Sequence, residues 1–173
     1  MDDGKIADPR VDYESGVNSA DGLEVRIWLR LLTCANLIGH GVRQNLHQDY
    51  ETTLPRFDIL AQLDRAGDAL SMGELSRRLM VTNGNITGLI DRLVRDGLVA
   101  RETAPNDRRM QLVRLTDAGR GLFANLAEDH RHWVTEMMAD IGGDDLARLY
   151  DLLARLKGSI LESRSTNHGD GGK

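Results

Sequence analysis

The 173-residue chain is poor in several things, and each shortage excludes a class of answers. It has one cysteine, Cys34, so neither an internal disulfide nor a cysteine-built zinc cage can form, and a reducing compartment fits. Aromatic residues make up only 4% of the chain, while Leu, Ala, Ile, Val and Met are plentiful; that mix suits packed helices better than a β-sandwich or barrel. No apolar run approaches the roughly 18 residues needed to cross a bilayer. The start, Met1-Asp2-Asp3-Gly4-Lys5, lacks the basic and apolar regions of a secretory signal, so a soluble, cytoplasmic protein without a membrane partner is expected. Positive charge is scarce too. Against 27 Asp and Glu stand 22 Lys and Arg, a net charge of -5, which at face value argues against a nucleic-acid ligand.

Catalytic constellations are missing as well. There is no phosphate-binding Gly-rich loop, no G-x-S-x-G and no nucleophile placed beside a base. His130 and His132 face different sides of a helix, and His40 and His47 lie two turns, ~10 Å, apart, so neither pair gives the i, i+4 spacing of a helical zinc site. The chain reads as no enzyme, with no metal and no cofactor.

What is present is helical periodicity with one interruption. Residues 1–20 carry five acids (Asp2, Asp3, Asp8, Asp12, Glu14) and no apolar period, which reads as a disordered acidic tail; residues 163–173 read as a second flexible tail. Between them, Ile27, Leu31, Ala35, Ile38, Val42 and Leu46 recur every three or four positions and predict a helix from 22 to 48. Pro55 suits the first turn of a second helix, with Phe57, Ile59, Leu60 and Leu63 inward. Ser71-Met72-Gly73-Glu74 is a capping box opening a short helix through Leu79. After Met80-Val81-Thr82 another helix places Ile86, Leu89, Ile90, Leu93 and Val94 inward and stops with Gly97 as its C′ residue. Two short helices about a tight turn form a helix-turn-helix. Leu98–Glu102 and Gln111–Leu115 then alternate as strands about a tip, Pro105-Asn106-Asp107-Arg108-Arg109, so a β-hairpin wing follows. Thr116 caps a long helix carrying Leu122, Leu126, His130, Trp133, Met137 and Met138. A last helix, with Leu146, Leu149, Leu152, Leu153, Leu156 and Ile160, follows Gly142-Gly143. The fold class is mainly α with a small β-hairpin wing.

A helix of this kind reads DNA by entering the major groove with its first residues at base edges. Asn83, Asn85 and Thr87 stand there, and Arg92 and Arg95 follow on the outer face; the same residues also fit an ordinary solvated helix end. Arg108 and Arg109 at the wing tip suit a narrow, electronegative minor groove, although one of them can instead pair with Asp107 or Asp91. From Ser76 to Thr116 eight arginines face four acids, a surplus of +4, which leaves -9 for the rest of the chain.

These features together resemble the MarR family of winged helix-turn-helix transcriptional regulators. The residues that carry the resemblance are Leu75-Ser76-Arg77-Arg78-Leu79, Asp91-Arg92-Leu93-Val94-Arg95-Asp96-Gly97-Leu98-Val99, Asp107-Arg108-Arg109 and Leu115-Thr116-Asp117-Ala118-Gly119. The resemblance covers about 22–162 and departs at Met110, where many members carry a small residue. It implies one unit over 21–162, with dimerisation helices in 21–50 and 117–162 around a winged helix-turn-helix at 54–116. It further implies a homodimer on a pseudo-palindromic operator, double-stranded DNA contacted by Ser71, Arg77, Asn83, Asn85, Thr87, Arg92, Arg95, Arg108 and Arg109, with Arg109 as the D-x-R wing arginine.

Within the family, Trp28–Leu32, Thr53–Asp58 and Met72–Val81 with Asn83-Gly84-Asn85 resemble repressors of aromatic-acid catabolism of the CouR-like type, which hydroxycinnamoyl-CoA thioesters release from DNA. That implies a small-molecule effector, an aromatic acid or its CoA thioester, held by an apolar slot and by cations. Trp28, Phe57, His130 and Trp133 suit the slot, and Arg30, His40, Arg43 and Arg56 suit the anionic groups. Equally, Trp28 and Trp133 fit a dimer core, and the arginines fit pairs with Asp49, Glu51 or Asp58. Some members sense oxidants through a lone cysteine, but no lysine or histidine stands one turn from Cys34, which reads first as a small hydrophobe. A helical interaction protein that binds no DNA is the reading from another class.

Overall fold

The computed structural model describes residues 22–104 and 106–167, except the side chains of Asn83, Arg108 and residues 164–167. The acidic tail expected over 1–20 lies outside the described residues, as does the end of the chain from 168. Six helices and three strands follow in the order α1 (Leu23–Tyr50), α2 (Leu54–Ala66), β1 (Leu70–Ser71), α3 (Met72–Leu79), α4 (Asn83–Arg95), β2 (Val99–Ala104), β3 (Asp107–Leu115), α5 (Asp117–Met137) and α6 (Gly143–Asn167). The chain packs as two compact units, one ending at Val134 and the other starting at Thr135.

In the first unit the local signals act where they stand. Pro55 is in the first turn of α2, after the extended Thr53. The capping box is complete: the Ser71 hydroxyl accepts from the Glu74 amide at 3.2 Å, and the Glu74 carboxylate accepts from the Ser71 amide at 3.0 Å. Ser71 holds that carboxyl below its ordinary range, its amide first and its hydroxyl second, against a small opposing effect of burial; Arg77 and Arg78 add to the lowering. Gly97 takes φ +72°, which ends α4 as its sequence position predicts.

The core is a single apolar cluster. Ile86, Ile90 and Leu93 of α4, Leu75 of α3, Ile59, Leu60 and Leu63 of α2, and Leu46 of α1 are all at most 2% exposed. Val94, expected inward, is 38% exposed. It lies about 80° round the helix from Ile86, at the edge of the buried stripe. The sheet has the order β1-β3-β2, all antiparallel, with Leu70 opposite Val113 and Val99 opposite Leu115. Strand β1 is an element the sequence does not announce, since two residues carry no alternation. The hairpin is longer than expected: Arg108 and Arg109 belong to β3 instead of the tip, where Asn106 stands.

A latch joins this sheet to α5. The Thr116 hydroxyl donates to the Gly97 carbonyl at 2.6 Å and accepts from the Gly119 amide at 3.0 Å, while the Thr116 amide donates to the Leu98 carbonyl at 3.1 Å. Gly119 lies so close to Leu98 that a Cβ on it would stand 1.9 Å from that carbonyl oxygen.

The stripe on α1 is buried only toward its end, at Val42 and Leu46; Ile27 is 46% exposed. In the second unit, Leu149, Leu152, Leu153, Leu156 and Ile160 of α6 are exposed in the single chain. α6 continues to Asn167, past the point where the sequence suggests a flexible tail; no glycine or proline stands between Leu161 and Gly169.

Candidate nucleic-acid interface

Helices α3 and α4 and the hairpin β2–β3 belong to one unit and share one core, so their outer residues form a fixed set. Arg77, Arg78, Arg92, Arg95 and Arg109 are all exposed, and among the described residues none of their guanidinium groups has a carboxylate or hydrogen-bond partner. Several other arginines of the unit are engaged. Arg101 pairs with Asp91 at 2.7 Å, Arg114 with Glu102, Arg120 with Asp117 at 2.7 Å and Arg56 with Asp96. Arg26, Arg43 and Arg65 are exposed elsewhere in the unit, on α1 and α2, while five of the guanidinium groups without a partner among the described residues stand on the helix-turn-helix and the wing.

Each residue expected at DNA has a defined place. Asn85 and Thr87 are exposed in the first turns of α4, which begins at Asn83; the Asn83 and Arg108 side chains lie outside the described residues. Ser71 is half-buried with its hydroxyl committed to the cap, its proton going to the Glu74 carboxylate at 2.8 Å. Ser71 and Arg109 are brought together across a cleft of about 450 Å³, lined also by Met72, Gly73, Asp107, Met110 and Gln111. The Asp107 carboxylate accepts from the Arg109 backbone amide at 2.8 Å, which shapes the start of β3, and Asp91 is taken by Arg101.

Arg101 makes a link that the sequence reading missed. Its guanidinium reaches Asp91 and, at 3.4 Å, the Thr87 carbonyl, which braces the wing on the recognition helix. The signal was available: two residues after the buried Val99, Arg101 falls on the same strand face, toward α4.

The residues expected at an effector divide. Phe57 is buried and stacks on His130 with ring centroids 4.7 Å apart and planes at 27°; its other ring neighbour is Phe123, at 5.7 Å. Phe123 was also legible, lying two turns before His130 on the same α5 face. Trp133, one turn beyond His130, meets Tyr50 edge-on at 6.4 Å. Tyr50 donates to Asp129, and mainly for that reason its phenol is pushed up to about 12. Burial lowers the His130 pKa and raises that of Asp58, and the attraction between the two opposes both shifts. His40 is half-buried; Arg43 is exposed, with its guanidinium folded over Gly39. Trp28 and Arg30 are exposed near the start of α1, and Trp28 stands roughly 33 Å along the helix from Tyr50. Within one chain Trp28 is not brought to the aromatic cluster. Cys34 is exposed. Among the described residues no helix is long and apolar enough to cross a membrane.

A recognition helix with exposed arginines, a wing braced on it and a compact apolar core beneath define a winged helix-turn-helix DNA-binding protein. Comparison with known proteins narrows the class. Residues 50–110 match the model of the MarR family. The chain is 31% identical over 154 residues to the transcriptional activatory protein BadR of Rhodopseudomonas palustris, covering 87% of each chain. A MarR family transcriptional regulator from Silicibacter pomeroyi superposes with a TM-score of 0.68 at 33% identity, over 79% of this chain and 94% of that one. A cysteine-to-serine mutant of MarR from E. coli, solved in complex with operator DNA, superposes with a TM-score of 0.67 at 27% identity, over 79% and 99%. The chain belongs to the MarR family of DNA-binding transcriptional regulators and is not an enzyme.

Proposed function

We propose that this chain acts in the cytoplasm as a homodimeric repressor of aromatic-acid catabolism, released from its operator by an aromatic acid or its CoA thioester. The observation that carries the DNA-binding half is the set of five exposed arginines on α3, α4 and β3 whose guanidinium groups have no partner among the described residues. Guanidinium groups that are free of carboxylates in the protein lose nothing internal when they meet phosphates or guanine edges. Two copies would place two recognition helices about one DNA turn apart. The apolar faces of α1 and α6, exposed in the single chain, support the dimer: a face carrying Leu152, Leu156 and Ile160 needs a partner in water. The reading keeps 21–162 as one functional unit, with 21–50 and 117–162 dimerising around the winged helix-turn-helix at 54–116.

The effector reading is supported by the aromatic cluster Phe57, Phe123, His130, Trp133 and Tyr50. The half-buried His130, whose neutral form is favoured by that burial, stacks on Phe57 and offers an aromatic edge to which a flat ring is suited. An effector shifts DNA binding only by its differential affinity for the free and DNA-bound states. Activation is the second reading, and the relative named as an activatory protein favours it.

Binding-site selection from random duplexes followed by gel shift tests the DNA reading. Arg109→Ala should weaken the selected duplex at matched salt, and unchanged affinity would remove the wing arginine from the interface. Calorimetry with p-coumaroyl-CoA, p-coumarate and salicylate tests the effector: heat from the thioester is expected, and no heat from any of the three removes the aromatic reading. In-vitro transcription with and without the bound effector then distinguishes repression from activation.

A further inference from the structure

The residue that caps the end of the recognition helix is held by an arginine that the sequence assigns to a different task. Asp96 caps the C-terminus of α4, the negative end of the helix dipole, where a carboxylate is disfavoured without a cation beside it. Arg56, in the first turn of α2, supplies that cation through its Nη2. The Arg56 side chain is 20% exposed, and its Nε is buried with no acceptor among the described residues. The next residue along, Phe57, stacks on His130, and Asp58 interacts electrostatically with the same histidine. Three consecutive residues of α2 thus grip the end of the recognition helix on one side and the aromatic cluster on α5 on the other. Asp96 meets the guanidinium at Nη2, on the same edge as the unsatisfied Nε, so an anionic ligand that took that edge bidentately would compete with Asp96 for it.

We infer that Arg56 is a positioning residue: through Asp96 it holds the recognition helix in its DNA-binding orientation, and an anionic effector lodged beside Phe57 and His130 draws the guanidinium away and loosens that hold. The second half rests on the effector reading above; the first half does not. Arg56 then touches no DNA, yet it matters for specific binding. Its unsatisfied Nε is the group that gains an acceptor when the effector arrives, and the Asp96 carboxylate is the group that loses its donor.

The test is a double-mutant cycle on the full-length protein, with anisotropy on a selected duplex and on a random one at the same salt. Arg56→Ala and Asp96→Asn should each lower affinity for the selected duplex about tenfold, and the double variant should be no weaker than either. Affinity for the random duplex and the salt slope should stay unchanged, and Arg56→Lys should restore part of the loss. Losses that multiply in the double variant, or that appear equally on the random duplex, overturn the hold. Asp96→Asn alters an exposed carboxylate only, so it reports even where Arg56→Ala fails to fold. Saturating p-coumaroyl-CoA should then weaken the wild type severalfold and Asp96→Asn little further. A full response from Asp96→Asn overturns the release step. If the wild type answers none of p-coumaroyl-CoA, p-coumarate and salicylate, the effector reading and the release step fall together, while the cycle still decides the hold.

Discussion

At the scale of single residues, two positions are constrained by what surrounds them more than by their own chemistry. Gly119 is the glycine of Leu115-Thr116-Asp117-Ala118-Gly119, and the reason is distance: any side chain there would collide with the Leu98 carbonyl. That carbonyl is backbone and is engaged by the Thr116 amide, so it cannot give way cheaply. Gly119→Ala should destabilise the fold by about 3 kcal/mol, the upper part of the range for overpacking, measurable by urea unfolding; wild-type stability would show that α5 moves freely against the sheet. His130 is constrained by burial against Phe57. Its folded pKa lies below 6.5, so the native state binds fewer protons than the unfolded chain as pH falls through that value. The stability present above pH 6.5 should be lost on acidification toward the folded pKa. His130→Gln should flatten that loss in thermal melts between about pH 7 and 5; an unchanged pH profile would contradict a buried, neutral imidazole.

At the scale of elements, signals that act within one or two turns were legible before any coordinates. The capping box, the Pro55 turn and the Gly97 stop are satisfied by neighbours in sequence, and each appears where its residues stand. Ser71→Ala removes the acceptor for the Glu74 amide and should cost about 1 kcal/mol of stability, read as a fall in the urea midpoint. Loss of less than a few tenths would mean that water caps α3 equally well. Less legible were features fixed by distant residues. Strand β1 exists because Leu70 meets Val113, a partner 43 positions away, and two residues cannot advertise a strand. Strand β3 begins at Asp107, so Arg108 and Arg109 lie on a strand in place of a tip; turn-forming residues mark where a chain can reverse, without fixing how early the pairing resumes. The pair Arg56–Asp96 was hidden for the same reason, since α2 and the end of α4 meet only in three dimensions. Among the candidate sites, Phe57, His130 and Trp133 share a neighbourhood because two of them are one turn apart on α5. Trp28 shares only a residue type with them.

At the scale of the whole molecule, charge and apolar surface are distributed unevenly. A net -5 hides a +4 segment from Ser76 to Thr116, so the acidic total speaks against broad coating of nucleic acid and leaves room for local, specific contact. The exposed leucines of α6 speak for a second copy. Leu156→Glu should shift the particle in sedimentation from twice the chain mass to the chain mass and make operator binding strongly concentration-dependent; a chain-sized wild-type particle would remove the dimer. Fold and DNA-binding role rest on local patterns and were largely readable from the sequence. The aromatic cluster is assembled from residues of several helices and was readable only in outline.

The central claim is that a handful of free arginines on the helix-turn-helix and wing carry DNA binding. The slope of log affinity against log salt concentration, for the selected duplex, tests it most directly. With about 0.9 counterions released per phosphate neutralised, five such arginines per subunit set a ceiling near -9 for the dimer, and Arg109→Ala should make the slope shallower by about 2. A slope near zero, or one that Arg109→Ala leaves unchanged, would contradict the account.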